Sequence, residues 1–229
     1  RKFLEAMAAA GASELVLDHL VWCVNSVSEG MDMFEALTGV RPCTGGQHLG
    51  LGTHNALVSL GDGLYLEILA LDPAQGGEGR WIGIDCPKKP CLATFCVRAD
   101  RGLDEIARLA SKHYDIGSIK DFSRENTEGK TLRWRLAADH HSLGYEKLPF
   151  QGLVPFIVDW SVNALAHPSD ISPKGCRLVE LRAYHPKASE LQKVLDALNV
   201  KGVTVVSVES SETPRLEAVL DCPKGQVKI

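Results

Sequence analysis

Two residues in the first third of the chain have the types and the placing to hold a cation or to move a proton. His19 lies in the apolar run LVLDHLVWCV (15–24) and Glu67 in LYLEILAL (64–71). Both runs are rich in β-branched and large apolar side chains and read as strands. Alternation puts His19, Val21 and Cys23 on one face and Leu20, Trp22 and Val24 on the other; Tyr65, Glu67 and Leu69 share a face in the same way. An imidazole nitrogen and a carboxylate oxygen suit zinc, iron, nickel or manganese. A carboxylate beside a substrate carbon is also a general base. The alternative is a hydrogen-bonded polar pair with no metal. A catalytic metal takes about three protein ligands, so a third would come from His48, His54, His167 or Asp159.

Between these strands lies GGQHLGLGTHN (45–55). Its glycines remove side chains where a ligand or another backbone can approach. His48, His54 and Asn55 then offer polar contacts, and the segment reads as a rim loop closing over a ligand. The alternative is a hairpin with solvated histidines. Trp134 is flanked by Arg133 and Arg135 on a further strand, with the indole facing one way and both guanidiniums the other. Phe156, Val158 and Trp160 form an inward set that leaves Asp159 outward. Cys23 shares the face of His19, but a strand-buried thiol near a carboxylate has its pKa raised, which argues against a nucleophile.

These side chains need elements to position them. Ser26 with Glu29 three residues on has the form of a helix N-terminal capping box; Met31, Phe34 and Leu37 follow at helical spacing and Gly39 ends the run. Strands at 56–60 and 64–69 are joined by the turn Gly61-Asp62-Gly63. The order is β-α-β-β-β. It returns as a strand at 91–98, a helical stripe of Leu103, Ile106, Ala107 and Ala110, and strands at 116–122, 131–137 and 153–160. A third copy has a strand at 177–184, a stripe of Ala188, Leu191, Val194, Leu195 and Leu198, and strands at 203–208, 216–220 and 226–229. Repetition at this scale points to repeated supersecondary units. The expected fold is α+β, each helix lying on the outer face of its own four-stranded sheet.

Composition narrows the class. The 229 residues carry a net charge of −4, with 45% hydrophobic and 24% charged residues, as in an ordinary globular protein. No basic run exceeds Lys88-Lys89, which argues against nucleic acid, and no apolar stretch approaches a membrane span. Seven cysteines without a CxxC pair read as reduced thiols, hence a cytoplasmic setting. Residues 1–14 read as an N-terminal arm.

The repeated βαβββ order resembles the vicinal oxygen chelate superfamily, which includes glyoxalase I, extradiol dioxygenases and bleomycin-resistance proteins. LDHLVWCV, FEALTGVRP, GGQHLGLGTHNALVSLG and YLEILALDP, with LRWRL, LVPFIVDW and His167-Pro168 further on, are similar to its glyoxalase-like domain family. The resemblance implies a glyoxalase-like domain over 15–170, with units 15–72 and 91–160 curling into a half-open sheet cup. A third, appended unit over 175–229 packs on it. The resemblance also implies metal ligands on the first and last strands of a unit, matched here by His19 and Glu67. An overlay sets Leu92 opposite His19 and Phe156 opposite Glu67, and Arg177 and Lys228 in the third unit, so the later units add no ligand.

The expected protein acts on a small polar or carbonyl metabolite by lyase or isomerase chemistry. Glu67 and His19 are catalytic, either as ligands of a divalent ion (Zn, Ni, Mn or Fe) or without one. His48, His54, Asn55, Cys23, Phe156 and Trp160 contact the substrate, and Val21, Phe156 and Trp160 form the apolar walls of the pocket. The alternative is a non-catalytic protein that binds or sequesters a small molecule on the same fold. Glutathione-dependent glyoxalase I activity is not expected, and a monomer or a homodimer is left open.

Overall fold

The computed structural model describes residues 15–76, 89–99, 102–104, 106, 117–126, 129–137, 149–198, 200, 201 and 205–229. The first unit follows its sequence signals closely. Strand β1 (Leu15–Cys23) leads into helix α1 (Val27–Thr38), where the Ser26 side chain accepts from the Glu29 N–H and Gly39 closes the helix at φ +82°. Strands β2 (Cys43–His48), β3 (Thr53–Gly61) and β4 (Leu64–Leu71) follow, with β1 beside β4. Helix α1 sits close against the sheet at Gly30, where a Cβ would meet Ile68 Cγ2 at 2.7 Å. Glycine is unfavourable inside a helix, and here it sets the packing distance.

The second unit supplies β5 (Cys91–Ala99), β6 (Ile119–Asn126), β7 (Thr131–Ala137) and β8 (Phe156–Asp159) in the equivalent order, with β5 beside β8. Of its helical stripe, Leu103 and Ile106 are buried in the core; Ala107 and Ala110 lie outside the described residues. Strand β1 pairs with β5 and β2 pairs with β6, so eight strands form a closed ring rather than a half-open cup. Glycine explains the closure. At Gly46, paired with Asn126, a Cβ would stand 2.5 Å from the Glu125 carbonyl oxygen. The segment 45–55 is therefore not a rim loop but a hairpin, with β2 and β3 turning through Gly50 and Gly52 at positive φ.

The third unit, which forms a second sheet, has the expected elements and a different wiring. Strand β9 (Arg177–His185), helix α3 (Ala188–Leu198), the two-residue β10 (Val200–Lys201), β11 (Val205–Ser210), β12 (Arg215–Cys222) and β13 (Gly225–Lys228) follow one another. The sheet order is β11-β9-β12-β13, so the first strand is internal, whereas in the first unit β1 lies beside the last strand of its unit. It is not a third copy of the same topology. Strand β10 instead extends the large sheet beside β1.

The ring separates two apolar clusters. Leu17, Leu20, Trp22, Leu66, Ile68, Leu92 and Phe95 face outward, toward the helices and the four-stranded sheet. Val21, Cys23, Leu69, Cys96, Leu136, Phe156 and Val158 fill the interior, beside a polar cavity.

Candidate active site

A β-bulge builds the floor of the cavity. In the β1–β5 ladder Leu17 pairs with Val97 and His19 with Cys96, which leaves Asp18 over. Leu17 and Leu20 both face the outer core, so Asp18 and His19 turn inward together. Asp18 is fully buried and saturated with partners. Its Oδ1 accepts from His19 Nδ1 at 2.7 Å; its Oδ2 accepts from Trp160 Nε1 at 3.1 Å and from His167 Nε2 at 3.0 Å. The Ser169 N–H donates to His167 Nδ1, at the start of the short helix α2 (Pro168–Ile171), which leaves Nε2 of His167 to donate. Burial works against the charge of Asp18, but the bonds from His167 and His19 prevail and hold its carboxyl well below the usual range.

Glu67 stands between two histidines. Its Oε2 is 3.8 Å from His19 Nε2 and its Oε1 is 3.7 Å from His48 Nε2. Asn55 Nδ2 donates to Glu67 Oε1 at 2.6 Å and approaches His48 Nε2 at 3.3 Å. His48 Nδ1 is 2.9 Å from Thr53 Oγ1. This network assigns the Nδ1–H tautomer to His48, whose Nε2 keeps its lone pair. Burial pushes the His48 pKa down to about 4, against the pull of Glu67, so the ring is neutral. The His19 ring lies on Tyr65 at 4.6 Å between centroids and meets the edge of Phe156 at 5.4 Å.

Acceptors thus face acceptors: two Nε2 atoms, each with its Nδ1 engaged elsewhere, look onto one carboxylate. That arrangement suits a shared proton or a divalent cation, and His19, His48 and Glu67 fit as donors to such an ion. Among the described residues, the three metal-ligating side chains whose donor atoms all lie within 4.8 Å of one another are Asp18, His19 and Cys96. The bonds of Asp18 make it a support for His19 rather than a free ligand, and burial drives the Cys96 thiol well up.

The cavity, about 40 Å³, is lined by His19, His48, Asn55 and Glu67, with Trp134, Phe156, Val158 and Trp160 among its apolar walls. His54 is half-buried and Cys23 lies in the interior apolar cluster; neither lines the cavity. Val21 also packs in that cluster rather than forming a wall. Burial first, and then the charges of Cys91 and Glu67, push the Cys23 thiol well up. Asp159 faces outward, near Arg135.

The second unit needs one correction. His19↔Cys96 and Val21↔Thr94 are both ladder pairs, and the bulge recurs at Ala93, so the pseudo-twofold equivalent of His19 is Thr94. Leu92 faces the outer core. Val21 pairs with Glu67 as Cys96 pairs with Phe156, so Phe156 does answer to Glu67. Thr94 Oγ1 is buried without a partner. Sequence reasoning missed Asp18, hidden by the bulge, and Arg124, a buried cation on β6 that also lines the cavity.

The family model described as "Glyoxalase-like domain" matches residues 17–199. No curated protein matches the chain. Among solved structures, a hypothetical protein from Staphylococcus aureus aligns over 88% of this chain and 88% of its own, at 12% identity and a TM-score of 0.62. Methylmalonyl-CoA epimerase from Mycobacterium tuberculosis aligns over 65% of this chain and 91% of its own, at 16% identity and a TM-score of 0.42. A hypothetical protein from Bacillus halodurans C-125 aligns over 66% and 99%, at 9% identity and a TM-score of 0.40.

Proposed function

Since the chain belongs to the glyoxalase-like domain family, we propose that it is an enzyme that moves a proton on the carbon next to a carbonyl group of a small metabolite held in the Glu67 cavity. The observation that carries this reading is the Glu67 carboxylate itself, buried among aromatic walls, with Oε1 held by Asn55 and Oε2 left to act. A carboxylate beside a substrate carbon serves as a general base, and the fixed Asn55 amide saves it from reorienting during transfer. Asp18 holds the His19 ring with Nε2 toward the reacting region. Trp134, Phe156 and Trp160 keep water away from the carbanion that forms. A divalent ion, where bound, would be held by His19, His48 and Glu67 and would polarise the substrate carbonyl.

The test is hydrogen–deuterium exchange on carbon. Pyruvate, methylglyoxal and dihydroxyacetone are incubated with the protein in D₂O, with and without added zinc, manganese or nickel, and the signals next to the carbonyl are followed by NMR. Exchange above the buffer rate, abolished by Glu67→Gln, is expected. No acceleration under any of these conditions would overturn the reading.

A specific observation also favours a second reading, a protein that binds or sequesters a small molecule without turnover. The second unit carries Thr94 and Phe156 where the first carries His19 and Glu67, so half of a symmetric donor set is missing. Saturable binding of a carbonyl compound with no exchange would select it.

A further inference from the structure

Arg124 is a buried charge that the network around Glu67 leaves aside. It is 5% exposed, on a strand whose neighbouring residues Ser123 and Glu125 face solvent. No hydrogen bond or ion pair engages its guanidinium among the described residues; Glu67, the carboxylate of the same cavity, accepts instead from Asn55 Nδ2. The stem of Arg124 lies against Gly46, where a Cβ would meet Nη1 at 2.9 Å and Cδ at 3.2 Å, so the glycine makes its room. Burial lowers the pKa of Arg124 although the carboxylate of Glu67 opposes this. A buried and unpaired charge weakens the fold, and a guanidinium is the side chain best shaped to grip a carboxylate with two parallel bonds.

The position of Arg124 says where such a carboxylate would sit. The residue lines the Glu67 cavity and also a neighbouring cavity of about 310 Å³, which it shares with Leu57, Lys130, Leu132, Leu165 and Ser172. It stands at the wall between a small reactive chamber and a roomier, partly apolar one.

We infer that Arg124 is the anion anchor of this site: it binds the carboxylate of a small organic acid whose carbonyl end reaches the Glu67 cavity. Carboxylate binding rests on Arg124 alone. That the acid is the substrate rests on the reading of Glu67 given above. The substrate class is then a carbonyl compound that carries its own carboxylate, as a 2-oxo acid does. The larger cavity takes the remainder of the molecule.

Trp134 and Trp160 line the Glu67 cavity and serve as reporters. The test titrates the intrinsic fluorescence of the protein with pyruvate, acetate, inorganic phosphate and uncharged acetone. Saturable binding of pyruvate or acetate, absent for acetone, is expected. Arg124→Gln should weaken it at least about tenfold, while Arg124→Lys, which keeps the charge, retains part of it. Arg124→Gln should also leave the melting temperature unchanged or raised, because it removes an unpaired buried charge. Glu67→Gln should abolish carbon exchange and leave carboxylate binding intact or tighter.

Phosphate binding without carboxylate binding would overturn the assignment of a carboxylate. Absence of any binding that depends on Arg124, or a lower melting temperature with binding unchanged, would overturn the anchor and make Arg124 structural. Intact carboxylate binding with no exchange on any compound would sink the Glu67 reading and leave the anchor standing.

Discussion

Asp18 and His19 are consecutive on one strand and yet face the same side of it, with Asp18 Oδ1 2.7 Å from His19 Nδ1. Regular alternation would separate them by the thickness of the sheet. The bulge removes that separation, and a ring nitrogen that would otherwise bond water is tied to a buried carboxylate. The orientation of His19 toward Glu67 follows from this contact.

Asp18→Asn should therefore damage both activity and stability. The amide keeps the shape and loses the charge that holds His19 and His167 in their donor tautomers. Carbon exchange should fall about 10–100-fold, the usual range for losing the carboxylate behind a functional histidine. Urea unfolding should show a loss of about 3 kcal/mol, because three bonds to a buried anion weaken together. In the wild type this contribution is complete above the ordinary carboxyl pKa of about 3.9 and is lost as pH falls below it, since the folded value is depressed. The variant should lack that acid dependence.

His48 gives a separate acid limb at higher pH. Its folded pKa is lowered to about 4, while in the unfolded chain it is about 6.5. Between these values the unfolded chain binds a proton that the folded chain excludes. Stability should fall as pH drops from about 6.5 to about 4 and level off below, by at most about 3 kcal/mol. Unfolding curves measured in EDTA across this range check it. His48→Gln should remove most of the slope, and an unchanged slope would place the titration elsewhere.

Thr94 separates the demands of fold from those of site. Its hydroxyl is fully buried and unbonded at the twofold equivalent of His19. Thr94→Val keeps the shape and removes the unsatisfied oxygen, so it should stabilise the protein by about 1 kcal/mol. Carbon exchange should stay within about twofold, a change too small to reflect a lost hydrogen bond. A destabilised variant would mean that the hydroxyl has a role at this position.

What could be read from the sequence, and what could not, divides along physical lines. Helix α1 was legible because Ser26, Glu29 and Gly39 are local signals whose effect needs no tertiary context. The shared cavity of His19 and Glu67 followed from alternation, which holds on either side of the bulge. The partnership of Asp18 and the equivalence of Thr94 were hidden because an extra residue changes the phase of a strand without leaving a mark in composition. The ring closure was missed because its cause, the approach of Gly46 to Glu125, joins strands far apart in the chain. The strand order of the third unit is not legible because the order of elements along a chain leaves their order in a sheet open. Arg124 was passed over because an arginine between Ser123 and Glu125 looks like one more residue of a solvated strand.

The equivalence of Thr94 also bears on which reaction the protein should fail to perform. Glutathione-dependent lactoylglutathione lyase chemistry, as the superfamily resemblance implies, uses a metal held by ligands from both paired units, one of them a carboxylate that moves the proton. Here the first unit supplies His19 and Glu67, and the second supplies Thr94, a neutral hydroxyl already enclosed, and Phe156, which has no donor atom. The nitrogen of His48 would add to a shell from within the first unit, but where the second unit would supply its own donor the cavity has the aromatic wall of Phe156. Stabilisation of an enediolate, usually worth several kcal/mol, is correspondingly reduced. The hemithioacetal of methylglyoxal and glutathione, supplied with zinc, nickel or cobalt, should give thioester no faster than roughly a hundredth of the 10 per second typical of enzymes. Phe156→Glu restores a carboxylate on the opposite wall and should raise the affinity for the same ions by calorimetry. Turnover at ordinary enzymatic rates in the unmodified protein would show that one unit alone suffices.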